Sequence, residues 1–184
     1  EEKNERIWWI KKRIGNEITM WTIIKFDKKN DQFLKSNLKE RIGKDLIFYS
    51  PVLLIEKFKK NKLIKKEFSL LGNYLFCFHE KFKNESFLNS LKFTKGLKYF
   101  LNGYTSSQKD IETFILKCKD CEDQEGYLRQ NFFEIYKNSK YKFISGPFSQ
   151  KIFKIIDFQK NKIEILLGKI KTTINKEKFL FSPL

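Results

Sequence analysis

Two hydrophobic rhythms alternate along the first two thirds of the chain. Trp21–Phe26 (WTIIKF) and Tyr74–Phe78 (YLFCF) are short, β-prone apolar runs of strand length. Between them Phe33, Leu34, Leu38 and Ile42 recur at helical spacing, behind Asn30 and Asp31 as cap candidates and ahead of Gly43 as a stop. Leu46–Leu54 predicts an extended segment that Pro51 confines to an edge or a bend. Ile55–Phe58 and Leu63–Phe68 flank the turn Lys59-Lys60-Asn61-Lys62 and predict a basic hairpin. One helical turn at Ser86–Leu91 and a strand at Leu97–Leu101 follow. Ser107 with Asp110 three residues on resembles a capping box, opening a helix with Ile111, Phe114, Ile115 and Cys118 on one face. This order predicts an antiparallel sheet covered by helices on one side.

The texture changes near Tyr141. Tyr141–Ser145, Lys151–Phe158, Lys162–Leu167, Lys169–Ile174 and Lys178–Phe181 are five short strand candidates, separated by turn signals such as Gly146-Pro147 and Gly168. So many short strands in so little chain are expected to close into a small barrel, which removes unpaired edges. Gly168 and the β-branched Ile and Thr around it favour strands over helices here. The expected fold class is therefore α+β: an antiparallel sheet flanked by helices, followed by a small five-stranded β-barrel. Residues 118–130 (CKDCEDQEGYLRQ) are acidic between two basic blocks and read as a linker, or as a helix end running into one. The expected division is a terminal extension over 1–19, a sheet-and-helix domain over 20–117, an acidic linker over 118–138 and the barrel over 139–184.

Composition narrows the function classes. With 184 residues, 41% hydrophobic and 20 Phe, the chain can bury a core and is not disordered by composition. No apolar run approaches the ~20 residues of a membrane span, and no signal peptide is visible, so a soluble cytoplasmic protein without membrane contact is expected. The net charge of +16 suggests nucleic acid. Yet it comes from 34 Lys against four Arg, in a chain with no Ala and one Val, a bias AT-rich codons would produce. Selection for phosphate binding favours Arg, whose planar fork pairs bidentately. Charge alone thus leaves direct nucleic-acid contact and a merely solvated basic face both open.

Three cysteines, an odd number, suit a reducing compartment. Cys118 and Cys121 form a CxxC, and Cys77 with His79 would share a strand face; together they make a Cys₃His set on paper. A second CxxC is missing, and no metal site is expected. One His, no Gly-rich phosphate loop and no nucleophile motif leave no catalytic constellation, so neither enzymatic activity nor a cofactor is expected.

Four stretches, in order over residues 20–184, resemble the NusG/RfaH family of transcription elongation and antitermination factors. Met20-Trp21-Thr22-Ile23-Ile24 looks like the family's opening strand. Leu71-Gly72-Asn73-Tyr74-Leu75-Phe76 resembles its F-P-[GN]-Y-[LV]-F segment. Lys95-Gly96-Leu97-Lys98-Tyr99-Phe100 looks like [RK]-G-V-x-x-F, and Ser145-Gly146-Pro147-Phe148 resembles the S-G-P-F that opens the C-terminal KOW barrel. There are departures. Gly72 replaces the proline, Asn73 is RfaH-like, Gln150 stands where the KOW glycine is expected, and no His-Thr-Thr element is recognisable between Glu80 and Thr94. Residues 1–19, with Trp8 and Trp9, have no counterpart.

The resemblance implies a monomer whose first domain binds RNA polymerase through Leu71, Tyr74 and Phe76, packed on the coiled-coil clamp helices of the largest subunit. Aromatic anchors with a polar handle suit such a role, although alternate members of the same run would also serve as core. Thr94 and Lys95 stand where RfaH-like proteins touch non-template DNA, and Lys28, Lys35 and Lys39 flank the first helix within reach of phosphate. Gly146 and Pro147 are turn formers. Phe148 is barrel core or part of a surface for a ribosomal protein or a termination factor. A ribosome-associated KOW protein that binds rRNA is the rival expectation.

Overall fold

Strand β1 (Trp21–Phe26) forms where six consecutive residues are rich in aromatic and β-branched side chains. In the computed structural model, which describes residues 20–59 and 62–184, β1 lies inside a four-stranded antiparallel sheet. The order is β2 (Ile47–Tyr49), β5 (Tyr74–Phe78), β1 and β6 (Leu97–Phe100). The register sets Trp21 opposite Phe78, Ile23 opposite Phe76 and Lys25 opposite Tyr74. Period-two alternation then puts Ile24, Phe26, Leu75 and Cys77 on one face, and Trp21, Ile23, Lys25, Tyr74, Phe76 and Phe78 on the other.

The first face is the core. Helix α1 (Asp31–Ile42) lays Leu34, Leu38 and Ile42 on it, and α2 (Glu85–Leu91) adds Leu88 and Leu91, with Leu46 and Phe82 filling between. Phe33, expected on the apolar face of α1, stands one position off that i, i+4, i+8 stripe and is 52% exposed. Asn30 does not cap α1 with its side chain. Its amide donates to Asp27 Oδ2 (3.0 Å), and Asp27 caps the preceding 3₁₀ turn by accepting from the Lys29 N–H (3.1 Å).

Helix α3 (Gln108–Asp120) is held by its first residue. Gln108 Oε1 accepts from the Trp21 N–H (2.8 Å) while its Nε2 donates to the Trp21 and Tyr104 carbonyls (2.8 and 2.7 Å). One amide thereby ties the helix start to β1, and Phe114 follows onto Phe76 with ring centroids 5.8 Å apart.

The chain divides into two compact units: one through Pro51 and again over Ser69–Leu116, the other over Val52–Phe68 and Lys117–Leu184. The second contains the hairpin β3 (Val52–Lys59) and β4 (Lys62–Ser69) and a five-stranded antiparallel sheet. That sheet orders β10 (Ile170–Asn175), β9 (Lys162–Leu167), β8 (Ile152–Gln159), β7 (Lys140–Phe143) and β11 (Phe181–Pro183). Ile163 and Ile165 point inward, as their alternation predicts, into a core with Tyr141, Phe143, Phe153, Ile155 and Phe181. Among the described residues the hydrogen-bonded order is an open row ending at β10 and β11, where a closed ring of strands was expected. The β11 edge ends in Pro183, which cannot donate to a further strand.

Two boundaries differ from the sequence expectation. The β3–β4 hairpin groups with the second unit, although it lies within 20–117. The 118–138 stretch, expected as a linker, is folded. Asp123 Oδ1 accepts from the Glu125 and Tyr127 N–H groups (2.9 Å each), and the Leu128 N–H donates to the Val52 carbonyl (2.8 Å). Leu128 is buried, and buried Gln130 accepts from the Phe181 N–H (2.8 Å). Acidic side chains that looked like a solvated tether instead cap a turn. Residues 1–19, with Trp8 and Trp9, and Lys60 and Asn61 of the expected turn lie outside the described residues.

If 118–138 is part of the folded unit, Gln130→Ala removes a buried acceptor from β11. It is expected to cost about 1–3 kcal/mol of stability, read as a shift of the urea midpoint; a tether residue would shift nothing.

Candidate partner-binding groove

The second face of the four-stranded sheet is apolar too, and α3 covers only part of it. Trp21, Phe76 and Phe78 pack under cover there, with Trp21 4.8 Å from Phe78 and edge-on to Phe76 at 6.3 Å. Beyond them a groove of about 640 Å³ opens. Ile23 and Phe76 are its floor, Ile111 and Phe114 of α3 with Asp110 form one wall, and Leu70, Leu71, Tyr74 and Leu101 form the rest. Leu71, Tyr74 and Phe76, singled out from the sequence, thus converge on one concavity. They differ in character: Phe76 is 4% exposed and packed against Trp21, Tyr49 and Phe114, while Leu71 and Tyr74 are half-buried at the lip.

The lip owes its shape to the turn before β5. Gly72 takes a left-handed conformation (φ +63°), which a proline in its place could not. The turn closes with the Tyr74 N–H donating to the Leu71 carbonyl (3.3 Å), and Asn73 accepts from the Phe26 N–H (3.0 Å). Sequence reasoning missed Ile23, Leu70, Leu101, Asp110, Ile111 and Phe114 as groove residues. Alternation along β1 sets Ile23 on one face with Trp21 and Lys25, and only the β1–β5 register adds Tyr74 to that face; Ile111 and Phe114 read only as a core stripe.

Tyr74 is also bound sideways. Its hydroxyl and that of Tyr99 are 3.2 Å apart, and Lys25 Nζ stands 5.1 and 5.7 Å from the two ring centroids. The hydrogen bond from Tyr99, then Lys25, lowers the Tyr74 phenol below its ordinary value, while Tyr99 is raised in turn.

The five residues expected at nucleic acid have separate environments. Lys35 is ion-paired with Asp31 (2.9 Å) one turn earlier. Lys39 lies over the Phe48 ring at 5.9 Å, and exposed Lys95 over Phe33 at 5.5 Å. Lys28 is exposed in the 3₁₀ turn before α1. Thr94 is buried, and its hydroxyl accepts from Arg41 Nη1 (2.9 Å) while Arg41 Nη2 donates to the Ser90 carbonyl (2.8 Å). Its side chain serves α1–α2 packing and is not open to a ligand.

In the second unit the Ser145-Gly146-Pro147-Phe148 turn is clamped from two directions. Ser145 Oγ accepts from the Leu180 N–H (2.7 Å), and the Gly146 N–H donates to Glu56 Oε2 (3.0 Å) on the hairpin. Gly146 has φ +75°, and a Cβ there would meet the Phe179 ring at 2.9 Å. Pro147 is exposed, and Phe148, 39% exposed, rests on Phe143 and Phe179. Gln150 holds φ +74°, the left-handed conformation that explains why a glycine is expected at this place in the turn.

Cys77 is fully buried, which pushes its thiol up, and Cys118 is buried as well. His79 is engaged elsewhere: Nδ1 accepts from the Lys81 N–H (3.1 Å) and Nε2 faces Asp45 (3.2 Å). Among the described residues no group of His, Cys, Asp and Glu has metal-holding geometry, and no helix is long and apolar enough to cross a membrane.

No protein-family model and no curated protein sequence matches the chain. Among solved structures it is similar at 15% identity to the MjSpt4:Spt5 complex (TM-score 0.28, covering 90% of this chain and 98% of that one). It is similar to the same degree of identity to Thermotoga maritima NusG (TM-score 0.34, covering 85% and 92%).

Three substitutions test the two units as built. Phe76→Ala is expected to destabilise the first unit by about 3–5 kcal/mol, whereas Tyr74→Ala leaves the urea midpoint almost unchanged; the pair separates floor from lip. Gln150→Gly is expected to raise stability by up to about 1 kcal/mol by relieving left-handed strain, seen as a higher urea midpoint of the second unit.

Proposed function

We propose that this chain is a transcription elongation factor of the NusG type, which docks on RNA polymerase by seating the coiled-coil clamp helices of the largest subunit in the groove. The observation that carries the reading is the convergence of Leu71, Tyr74 and Phe76 on one apolar concavity lined by the sheet and α3. A small-molecule site of this volume would bring several polar groups to a point. Here Asp110 and Tyr74 are the lining residues with polar side chains. Broad apolar floors with polar margins suit the apolar stripe of a helix, which presents side chains at i, i+3, i+4 and i+7.

Binding the clamp biases polymerase only so far as the factor prefers one clamp state over another. In this reading it prefers the closed, elongating state. Lys28 and Lys95, exposed on the first unit, reach phosphates of upstream or non-template DNA, with Lys35 and Lys39 in reserve behind their own partners. Such contacts position a protein without reading sequence, so lysine suffices. Thr94 supports this surface from below through Arg41. The second unit offers Pro147 and the exposed part of Phe148 to a ribosomal protein or a termination factor, concentrated near polymerase by the first.

The net charge of +16 also suits a ribosome-associated protein bound to rRNA. The groove favours polymerase, because rRNA offers no apolar helix to fill it. Leu71→Ala combined with Tyr74→Ala, both at the lip, is expected to keep the fold and weaken binding to core RNA polymerase roughly thirtyfold or more, measured by fluorescence anisotropy. Unchanged affinity, or co-purification with the large ribosomal subunit in place of polymerase, would sink the assignment.

A further inference from the structure

Along the groove face of β1 the side chains run Trp21, Ile23, Lys25, so an apolar row ends in a cation. The two neighbouring strands bracket that cation: Tyr74 of β5 and Tyr99 of β6 both stand opposite Lys25 in register. Its ammonium lies 5.1 Å from one ring centroid and 5.7 Å from the other, and the two phenols are hydrogen-bonded at 3.2 Å. Aromatic rings hold an ammonium without neutralising it. Among the described residues no carboxylate forms an ion pair with Lys25, while Lys35, Lys65, Lys119, Lys137 and Lys171 each have one. Contact with the Tyr74 phenol, then with that of Tyr99, holds the ammonium above its ordinary pKa.

Tyr74 is at once a bracket of Lys25 and a lining residue of the groove. The lysine therefore stands beside the space a bound helix would fill. Asp110 in the first turn of α3 supplies a charge of opposite sign on the other wall. With its ammonium held over two rings, Lys25 gives up less rotamer freedom on pairing than a free lysine does.

We propose that Lys25 selects the partner helix by charge, pairing with a carboxylate that the helix carries beside the apolar side chains seated in the groove. On a helix that carboxylate belongs three or four residues from an apolar anchor, on the same face. The inference rests on the groove being the docking site: the groove supplies affinity for any apolar helix stripe, and Lys25 distinguishes stripes flanked by acid from stripes flanked by base.

The test is binding of the full chain to purified core RNA polymerase over a salt series, for the wild type, Lys25→Met, Lys25→Arg and Leu71→Asp, with folding followed by circular dichroism. Lys25→Met keeps the stem and loses the charge; it is expected to bind roughly tenfold more weakly at low salt, with a flatter salt dependence. Lys25→Arg is expected to keep both affinity and salt slope, and Leu71→Asp to abolish binding at every salt concentration. If Leu71→Asp fails to bind while Lys25→Met matches the wild type in affinity and slope, the charge selection is overturned and the groove survives. If the wild type itself does not bind, groove and selection fall together.

Discussion

The pairing of β1 with β5 is the constraint from which the first unit follows. Both strands are apolar at every second position and nearly so at the positions between, so the central pair of the sheet has two faces that water disfavours. One face is fully covered, since α1 and α2 bury Ile24, Phe26, Leu75 and Cys77 with their own leucines. The other has only α3, fixed at one end by Gln108 on the Trp21 backbone. What α3 leaves bare is the groove. Its existence is a consequence of register: a slip of one residue in the β1–β5 pairing would turn one strand's set over, so that Ile23 and Phe76 no longer shared a face, and erase it.

How legible this was depended on whether local pattern or long-range pairing decided each residue. The strand runs, the Gly43 stop of α1 and the inward alternation of Ile163 and Ile165 are local, and the sequence predicts them closely. Leu71, Tyr74 and Phe76 were visible as a group. Their division into a buried floor and a half-exposed lip was not, because only the packing of Phe114 and Tyr49 on Phe76 makes that distinction. Thr94 reads as a surface residue until Arg41, 53 residues earlier, is found on its hydroxyl. The acidic 118–138 stretch misled for a related reason: Asp123 caps a local turn, but Leu128 and Gln130 are fixed by Val52 and Phe181, far away in the chain.

The S-G-P-F turn shows a different balance. Gln150 occupies a left-handed conformation that costs a non-glycine residue energy. The turn holds because its neighbours over-determine it: the Gln150 N–H donates to the Phe143 carbonyl (2.8 Å), and Ser149 Oγ and the Gly146 N–H are both bound to Glu56 (2.9 and 3.0 Å). The hairpin that supplies Glu56 thus carries part of the second unit's definition, which explains why β3 and β4 group with it despite their place in the sequence. Substitutions in this hairpin act on the second unit's turn, while those in β1, β5 and α3 act on the groove.

Docking of RNA polymerase in the proposed groove is read out by site-specific photo-crosslinking from Leu71, at the lip, in a reconstituted elongation complex. One dominant crosslink is expected, to the helical clamp hairpin of the largest subunit, with none from a probe at Lys162 on the outward face of β9. A crosslink to a ribosomal component, or equal yields from both positions, would contradict it.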